Sequence, residues 1–147
     1  MKKALIFGIS GQDGAYLSKL LLSKNYEIWG SSRDSVNNYF LNLKKLKIKK
    51  KINFISLSSN DFKKVLHTIA SIEPDEIYFL SGQSSVSLSF QKPIETIESF
   101  VYGIMNILEA VKSLNLKTKI YNASSSECFG NVKLKYGANE KTSFNPK

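Results

Sequence analysis

Residues 3–33 read KALIFGISGQDGAYLSKLLLSKNYEIWGSSR. Ala4 to Phe7 is a short unbroken apolar run, the pattern of a strand buried on both faces. It enters Gly8-Ile9-Ser10-Gly11-Gln12-Asp13-Gly14, three glycines spaced three apart. A helix is predicted to follow at once, with Leu17, Leu20 and Leu21 on its core face and Ser18, Lys19 and Ser23 elsewhere. Glu27 to Gly30 reads as a second strand, closed by Ser31-Ser32-Arg33-Asp34.

Strand, glycine turn and helix in this order make a phosphate cradle. Glycines let the main chain turn sharply and come close to a pyrophosphate, and the free N–H groups at the helix start meet the anion. On this reading a side chain at Gly8 or Gly14 blocks the approach of the ligand. Dinucleotide sites often place an acid at the end of the second strand to hold a ribose 2′-hydroxyl, but here the residue is Arg33, which suits a 2′-phosphate and favours NADP over NAD. Asp34 beside it tempers that preference.

Working outward, 147 residues suffice for one domain with a real core. Hydrophobic residues at 42% and charged residues at 22% are ordinary for a globular chain and argue against disorder. The single cysteine, Cys128, excludes an internal disulfide framework and fits a cytoplasmic protein. No apolar run is long enough to span a membrane, and Met1-Lys2-Lys3 leads into too short a run for a secretion signal. The net charge of +9 raises the question of nucleic acid, because six of the eight residues from Lys44 to Lys51 are lysine. That cluster lacks arginine and interleaved aromatics and falls in the crossover between strands two and three, so it reads as a solvated face, with neither nucleic acid nor membrane as partner.

The pattern repeats along the chain. A polar segment, Asp34 to Asn38, precedes a helix expected over Tyr39–Leu46. Ile52 to Leu57 is the third strand, and Ser58-Ser59-Asn60-Asp61 starts a helix carrying Phe62, Val65, Leu66 and Ile69 at helical spacing. His67, the one histidine, lies beside that face with no second ligand or carboxylate partner placed for it and reads as a surface or satisfied structural residue. Glu76 to Leu80 is the fourth strand, running into the small, polar stretch Ser81 to Val86 where open α/β sheets bind ligands. Pro93 opens a long helix whose stripe is expected to be Ile94, Ile97, Val101, Ile104, Leu108 and Val111, with Phe100, Met105 and Ile107 widening it toward a second contact. The fifth strand, Lys119 to Ala123, delivers Ser124-Ser125-Ser126-Glu127 to the same edge as the glycine turn, and residues 131–147 read as loop. The fold class is therefore α/β: a Rossmann-type doubly wound parallel sheet with helices on both faces, incomplete at its carboxyl end.

Four segments together resemble a known family. They are Gly8 to Leu17 with Gln-Asp inside the glycine motif; Pro74-Asp75-Glu76-Ile77-Tyr78 leading to Gly82-Gln83-Ser84; Ser89-Phe90 with Pro93 and then Leu108-Glu109-Ala110; and Ser124-Ser125-Ser126-Glu127 with Phe129-Gly130. The chain is similar over nearly its whole length to the extended short-chain dehydrogenases/reductases and, among them, to the GDP-mannose 4,6-dehydratases. The resemblance implies NADP held by Gly8, Ser10, Gly11, Gln12, Asp13, Gly14 and Arg33, with Ser56 and Leu57 toward the adenine and Leu80, Ser81, Gly82 and Gln83 along the nicotinamide. It places Ser84 and Ser85 near the hexose, Ser125 on the sugar 4-hydroxyl and Glu127 as the acid/base carboxylate. No metal is implied. Two positions depart from the family pattern: Ser85 stands where a histidine is frequent, and Ser56 where an aspartate usually meets the adenine.

What the resemblance implies for activity is conversion of GDP-mannose, a small-molecule substrate, to GDP-4-keto-6-deoxymannose through transient hydride transfer, by a homo-oligomer joined through the Pro93–Leu114 helix. The family also uses a Tyr-x-x-x-Lys pair, and none of the seven tyrosines here has lysine four residues on. By the family's spacing that tyrosine falls about three residues beyond Lys147. Residues 1–147 are thus expected to be an NADP-binding domain, an amino-terminal portion without most of the substrate site and with little activity of its own. A sugar-nucleotide epimerase or ketoreductase, or a non-catalytic NADP-binding module, are the alternatives.

Overall fold

A computed structural model of the chain describes residues 1–37, 39–132 and 137–146. Asn38 in the segment after Arg33, and residues 133–136 and 147 of the tail read as loop, lie outside the described residues. Five strands, β1 (Lys3–Phe7), β2 (Glu27–Ser32), β3 (Asn53–Ser56), β4 (Glu76–Phe79) and β5 (Lys119–Asn122), form one sheet in the order β3-β2-β1-β4-β5, and every pairing is parallel. The crossovers carry α1 (Gln12–Ser23), α2 (Leu41–Lys45), α3 (Phe62–Ile72), α4 (Val86–Gln91), α5 (Pro93–Ile97) and α6 (Gly103–Ser113). After β3 the chain crosses over β1 to lay down β4 on its far side, so the winding reverses between β1 and β4. This is the doubly wound architecture the sequence predicts.

β1 is central, and its residues feed two cores by simple alternation. Leu5 and Phe7 join Val65 and Ile69 of α3 and Ile107 of α6 on one face, while Ala4 and Ile6 join Ala15 and Leu21 of α1, Phe40 and Leu43 on the other. Ala4, Leu5 and Ile6 are wholly buried. Each large apolar side chain so placed contributes about 1.5–3 kcal/mol. α3 starts where Asp61 Oδ1 accepts the Lys64 N–H at 3.1 Å, and it stops at Glu73, whose left-handed φ of 49° leads into Pro74. Among the described residues no helix is long and apolar enough to cross a membrane.

Two helix faces differ from the sequence expectation. On α1 the buried residues are Gly14, Ala15, Ser18 and Leu21, whereas Leu20 is half exposed. α1 approaches the glycine turn so closely at Gly14, where a Cβ would meet Gly8 and Ile9, that small residues define the contact face there; Ser18 satisfies its hydroxyl internally by donating to the Gly14 carbonyl at 2.6 Å, and Leu20, roughly 160° around the helix from Ser18, turns to solvent. The segment opened by Pro93 is not one regular helix. A π-type turn, Glu98–Tyr102, separates α5 from α6. Its wider winding shifts the register, so Gly103, Ile107, Ala110 and Val111 are buried while Ile94, Ile97, Val101, Met105 and Leu108 are exposed.

The lysine-rich crossover is shorter in helix than expected. Phe40 takes a left-handed conformation (φ 47°) and only Leu41–Lys45 is α-helical, followed by a 3₁₀ turn at Lys49–Lys51. Phe40 and Leu43 anchor it in the core, Phe40 stacking on Phe54 with ring centroids 4.2 Å apart. His67 is exposed.

Candidate functional site

The glycine turn is built by three main-chain constraints. Gly8 has φ +86°, and a Cβ there would lie 2.8 Å from the Leu80 carbonyl oxygen. A Cβ on Gly14 would lie 2.5 Å from the Gly8 carbonyl oxygen and 2.7 Å from Ile9 Cα. Both glycines are therefore required by the packing of the turn against the residue after β4 and of α1 against the turn, whatever clearance a ligand adds to that. Gly11 differs: its Cβ would meet only the Gly8 oxygen, at 3.3 Å. The Gly11 N–H donates to Gly8 C=O at 3.1 Å, and the first bond of the helical ladder runs from Ala15 N–H to Gly11 C=O at 3.2 Å. The amides of Gln12, Asp13 and Gly14 thus precede the ladder, with no side-chain cap to satisfy them.

Those amides open into a cleft of ≈ 990 Å³ at the carboxyl ends of the strands, across the point where the winding reverses. Gly8, Ser10, Gly11, Gln12, Asp13 and Gly14 form one wall. Arg33 and Asp34 stand at the end of β2, and Leu57 stands beyond β3. Leu80, Ser81, Gly82, Gln83 and Ser84 close the side formed by β4. The Asp34 carboxylate is held below its ordinary range because the Asn37 N–H (2.9 Å) and side-chain amide (2.7 Å) and the Val36 N–H (3.0 Å) all donate to it. It is committed to its own turn, which leaves the exposed Arg33 as the available charge at this corner.

Four residues singled out from the sequence are not on the cleft wall. Ser56 Oγ accepts the Ser35 N–H at 3.0 Å and lies 2.7 Å from Ser35 Oγ, tying the end of β3 to the loop after β2. Ser85 caps α4, its Oγ accepting the Leu88 N–H at 3.3 Å. Ser125 caps the short 3₁₀ turn Ser126–Phe129, its Oγ accepting the Glu127 N–H at 3.2 Å. Glu127 is exposed on that turn, beyond β5 and on the same sheet edge as the cleft. Residues 144 and 145 fold back on this turn: the Asn145 N–H donates to Cys128 C=O at 2.9 Å, and Phe144 packs edge-on against Phe129.

The structure adds cleft residues that sequence reasoning missed. Ser58, Ser59 and Asn60 line it as the loop after β3, and Glu95, Glu98 and Ser99 reach it from α5 and the π-type turn. Ser58 to Asn60 carried a usable signal, since they follow a strand directly. Glu95, Glu98 and Ser99 carried none, because they lie in a segment whose apolar spacing reads as one regular helix. Among the described residues, no group of three His, Cys, Asp or Glu side chains is placed to hold a metal ion.

Parallel sheet, reversal point and amide-lined cleft together define the class: a Rossmann-type, doubly wound α/β domain. Solved structures share it. The chain superposes on UDP-glucose 4-epimerase from Thermotoga maritima with a TM-score of 0.83 at 21% identity, over 99% of this chain and 45% of that one. On the UDP-Glc/GlcNAc 4-epimerase from Campylobacter jejuni the TM-score is 0.85 at 18% identity, over 100% of this chain and 44% of that one. Sequence comparison is more specific, and the chain belongs to the GDP-mannose 4,6-dehydratase family, whose model matches residues 5–147. It is 37% identical to a GDP-mannose 4,6-dehydratase of Vibrio cholerae, over 99% of this chain and 41% of that relative. To GDP-mannose 4,6 dehydratase 1 of Arabidopsis thaliana it is 38% identical, over 89% and 39% respectively. The chain spans about two fifths of the length of these curated relatives.

Proposed function

We propose that the chain carries the cofactor-binding part of a sugar-nucleotide dehydratase, a hydro-lyase that converts GDP-mannose to GDP-4-keto-6-deoxymannose with NADP as its hydride carrier. The observation that supports this most is the family match across residues 5–147. The residues present fit a dinucleotide. Gln12, Asp13 and Gly14 offer amides ahead of the helical ladder, where a diphosphate draws on both their N–H groups and the positive end of the α1 dipole. Gly11 leaves the main chain bare at that point. Arg33 would hold the 2′-phosphate, and the engagement of Asp34 with Asn37 removes the acid that would otherwise favour NAD.

Held in the cleft, a nicotinamide would supply a reversible hydride acceptor for the hexose. The chain's own groups handle protons and position. Ser125 uses its oxygen to accept the Glu127 N–H, so its hydroxyl hydrogen remains to donate to the sugar 4-oxygen. With C4 as a carbonyl the C5 proton is acidified. Glu127 would take that proton and hand it to the departing C6 hydroxyl, which leaves as water. An epimerase has no elimination to serve, and a carboxylate at Glu127 favours the dehydratase. Ser84, on the cleft wall next to Gln83, is the group we assign to the hexose side.

These 147 residues contain no Tyr-x-x-x-Lys sequence. Deprotonation of the 4-hydroxyl therefore depends on groups outside them, and the chain alone is expected to bind NADP without turnover. The exposed apolar strip of Ile94, Ile97, Val101, Met105 and Leu108 supports assembly into a homo-oligomer, and the lone thiol of Cys128 is compatible with a cytoplasmic setting. Calorimetric titration with NADPH and NADH, followed by incubation with GDP-mannose and product analysis, is the test. Capture of NADPH in preference to NADH, with no keto-deoxy sugar formed, agrees with the reading; failure to capture either dinucleotide refutes it.

A further inference from the structure

The crossover helix α2 is tied to the glycine turn by a side-chain hydrogen bond. Asn42 Nδ2 donates to the Ser10 carbonyl oxygen at 3.0 Å, and the bond is partly buried. The same peptide unit is held at its other end, where the Gly11 N–H donates to Gly8 C=O at 3.1 Å. A peptide plane tied at both C=O and N–H cannot rotate without breaking a bond. It immediately precedes the three amides of Gln12, Asp13 and Gly14, so its orientation sets where they point. Asn42 itself is firmly based: Phe40, two residues before it, is buried against Phe54, and Leu43, the next residue, is wholly buried.

We propose that Asn42 is a positioning residue for the diphosphate of the dinucleotide, holding the Ser10–Gly11 peptide so that the amides of α1 are aimed before the ligand arrives. The inference rests on the dinucleotide reading above and deepens it. Preorganisation of this kind acts on affinity, because a loop already ordered loses less freedom on binding. Nothing in the sequence announces the role: Asn42 lies 28 residues past Gly14, between Leu41 and Leu43, in a run dominated by lysine.

Two substitutions separate positioning from packing. Asn42→Leu deletes the donor. Asn42→Asp keeps the shape but sets an acceptor against the Ser10 carbonyl. NADPH affinity is expected to fall roughly fivefold for Asn42→Leu and roughly tenfold or more for Asn42→Asp, the sizes expected for one lost hydrogen bond and for one turned repulsive. In the ligand-free chain the Gly11 amide should exchange with solvent roughly fivefold faster in both variants. A role in packing alone predicts the opposite order, with Asn42→Asp nearly unchanged. NADPH affinity within twofold of the parent in Asn42→Asp, or an unaltered Gly11 exchange rate, overturns the proposal. Should Asn42→Leu fail to fold, the isosteric Asn42→Asp decides alone. Absence of dinucleotide binding by the parent chain would sink the underlying functional reading, while the Gly11 exchange rate would still judge the locking of the turn.

Discussion

Substituting Gly14 by alanine separates two reasons for a glycine at the end of this motif. A Cβ at Gly14 would sit 2.5 Å from the Gly8 carbonyl oxygen and 2.7 Å from Ile9 Cα, so α1 must retreat from the turn by roughly 0.9 Å to restore an ordinary contact of 3.4 Å. Both obstructing atoms are main chain and cannot swing aside. The cost belongs at the upper end of overpacking, about 3 kcal/mol, while alanine returns about 1 kcal/mol through its better helix propensity. The net loss of about 2 kcal/mol corresponds to a fall in melting temperature of roughly 4–8 °C for a chain of this size. Gly11→Ala is the control. Gly11 has φ −69°, which alanine adopts freely, and its Cβ would meet one oxygen at 3.3 Å. It should melt within about 2 °C of the parent, yet bind NADPH roughly tenfold more weakly, because the added methyl stands where the main chain approaches the phosphates. Thermal unfolding followed by circular dichroism, with calorimetric titration on the same samples, reads both. A Gly14→Ala chain as stable as the parent would show that the closeness of α1 to the glycine turn is not what fixes this glycine.

Arg33→Ala should weaken NADPH by roughly 10- to 100-fold, as for a lost charge-assisted contact, and leave NADH within about twofold; equal losses would remove Arg33 from the 2′-phosphate. At the opposite end of the sheet the Glu76 carboxylate is held below its ordinary value of 4.5, chiefly because Tyr78 Oη donates to it at 2.6 Å and also because Tyr26 Oη donates at 2.9 Å, with burial opposing. A carboxylate whose pKa is lowered by folding adds stability that is fully present above the unfolded value and is lost as pH falls through the folded one. Urea midpoints should therefore drop below about pH 4.5, and Tyr78→Phe should flatten that drop; an equally steep loss in the variant would remove the tyrosine from the linkage. Glu127→Gln should leave NADPH affinity within about twofold, since Glu127 stands off the cleft wall; a larger loss would place the carboxylate against the dinucleotide.

The central strands β1 and β4 were legible because each is a short apolar run closed by turn residues, whereas β2 runs on through Ser31 and Ser32, which read as its closing turn. Phe7 and Phe79 mark the inner ends of two such runs, and both strands end within one residue of the expected place. Helix faces were less legible. Apolar periodicity assumes that the largest apolar side chains face the core, yet at α1 and α6 the buried faces also take in Gly14, Ser18, Gly103 and Ala110. A Cβ on Gly103 would lie 2.6 Å from the Phe79 ring, so the helix axis comes in nearer than a leucine would permit. Where helix and sheet are that close, large side chains at neighbouring positions are pushed outward, as Leu20 and Leu108 are.

The cleft follows a different rule, and it explains why its residues were only partly readable. Its loops are short, polar and rich in serine, with few apolar groups that burial could fix in place. They are held by side chains that reach from helices to loop main chain: Asn42 to Ser10 C=O at 3.0 Å, Asn106 to Ser59 C=O at 2.8 Å, and the Gln83 N–H to Ser99 Oγ at 3.3 Å. Each joins residues far apart in sequence, and a lone asparagine on a helix gives no sign of its acceptor. At about 1 kcal/mol apiece, any one of these ties can break without unfolding a domain whose total stability is of the order of 5–15 kcal/mol. Their loss should therefore show first as local opening of one cleft loop, and so as lost affinity for whatever the cleft holds, before it shows as a lower melting temperature. The hydrophobic alternation of β1 decides whether the sheet forms; these three polar ties decide whether its carboxyl edge keeps the shape of a binding site.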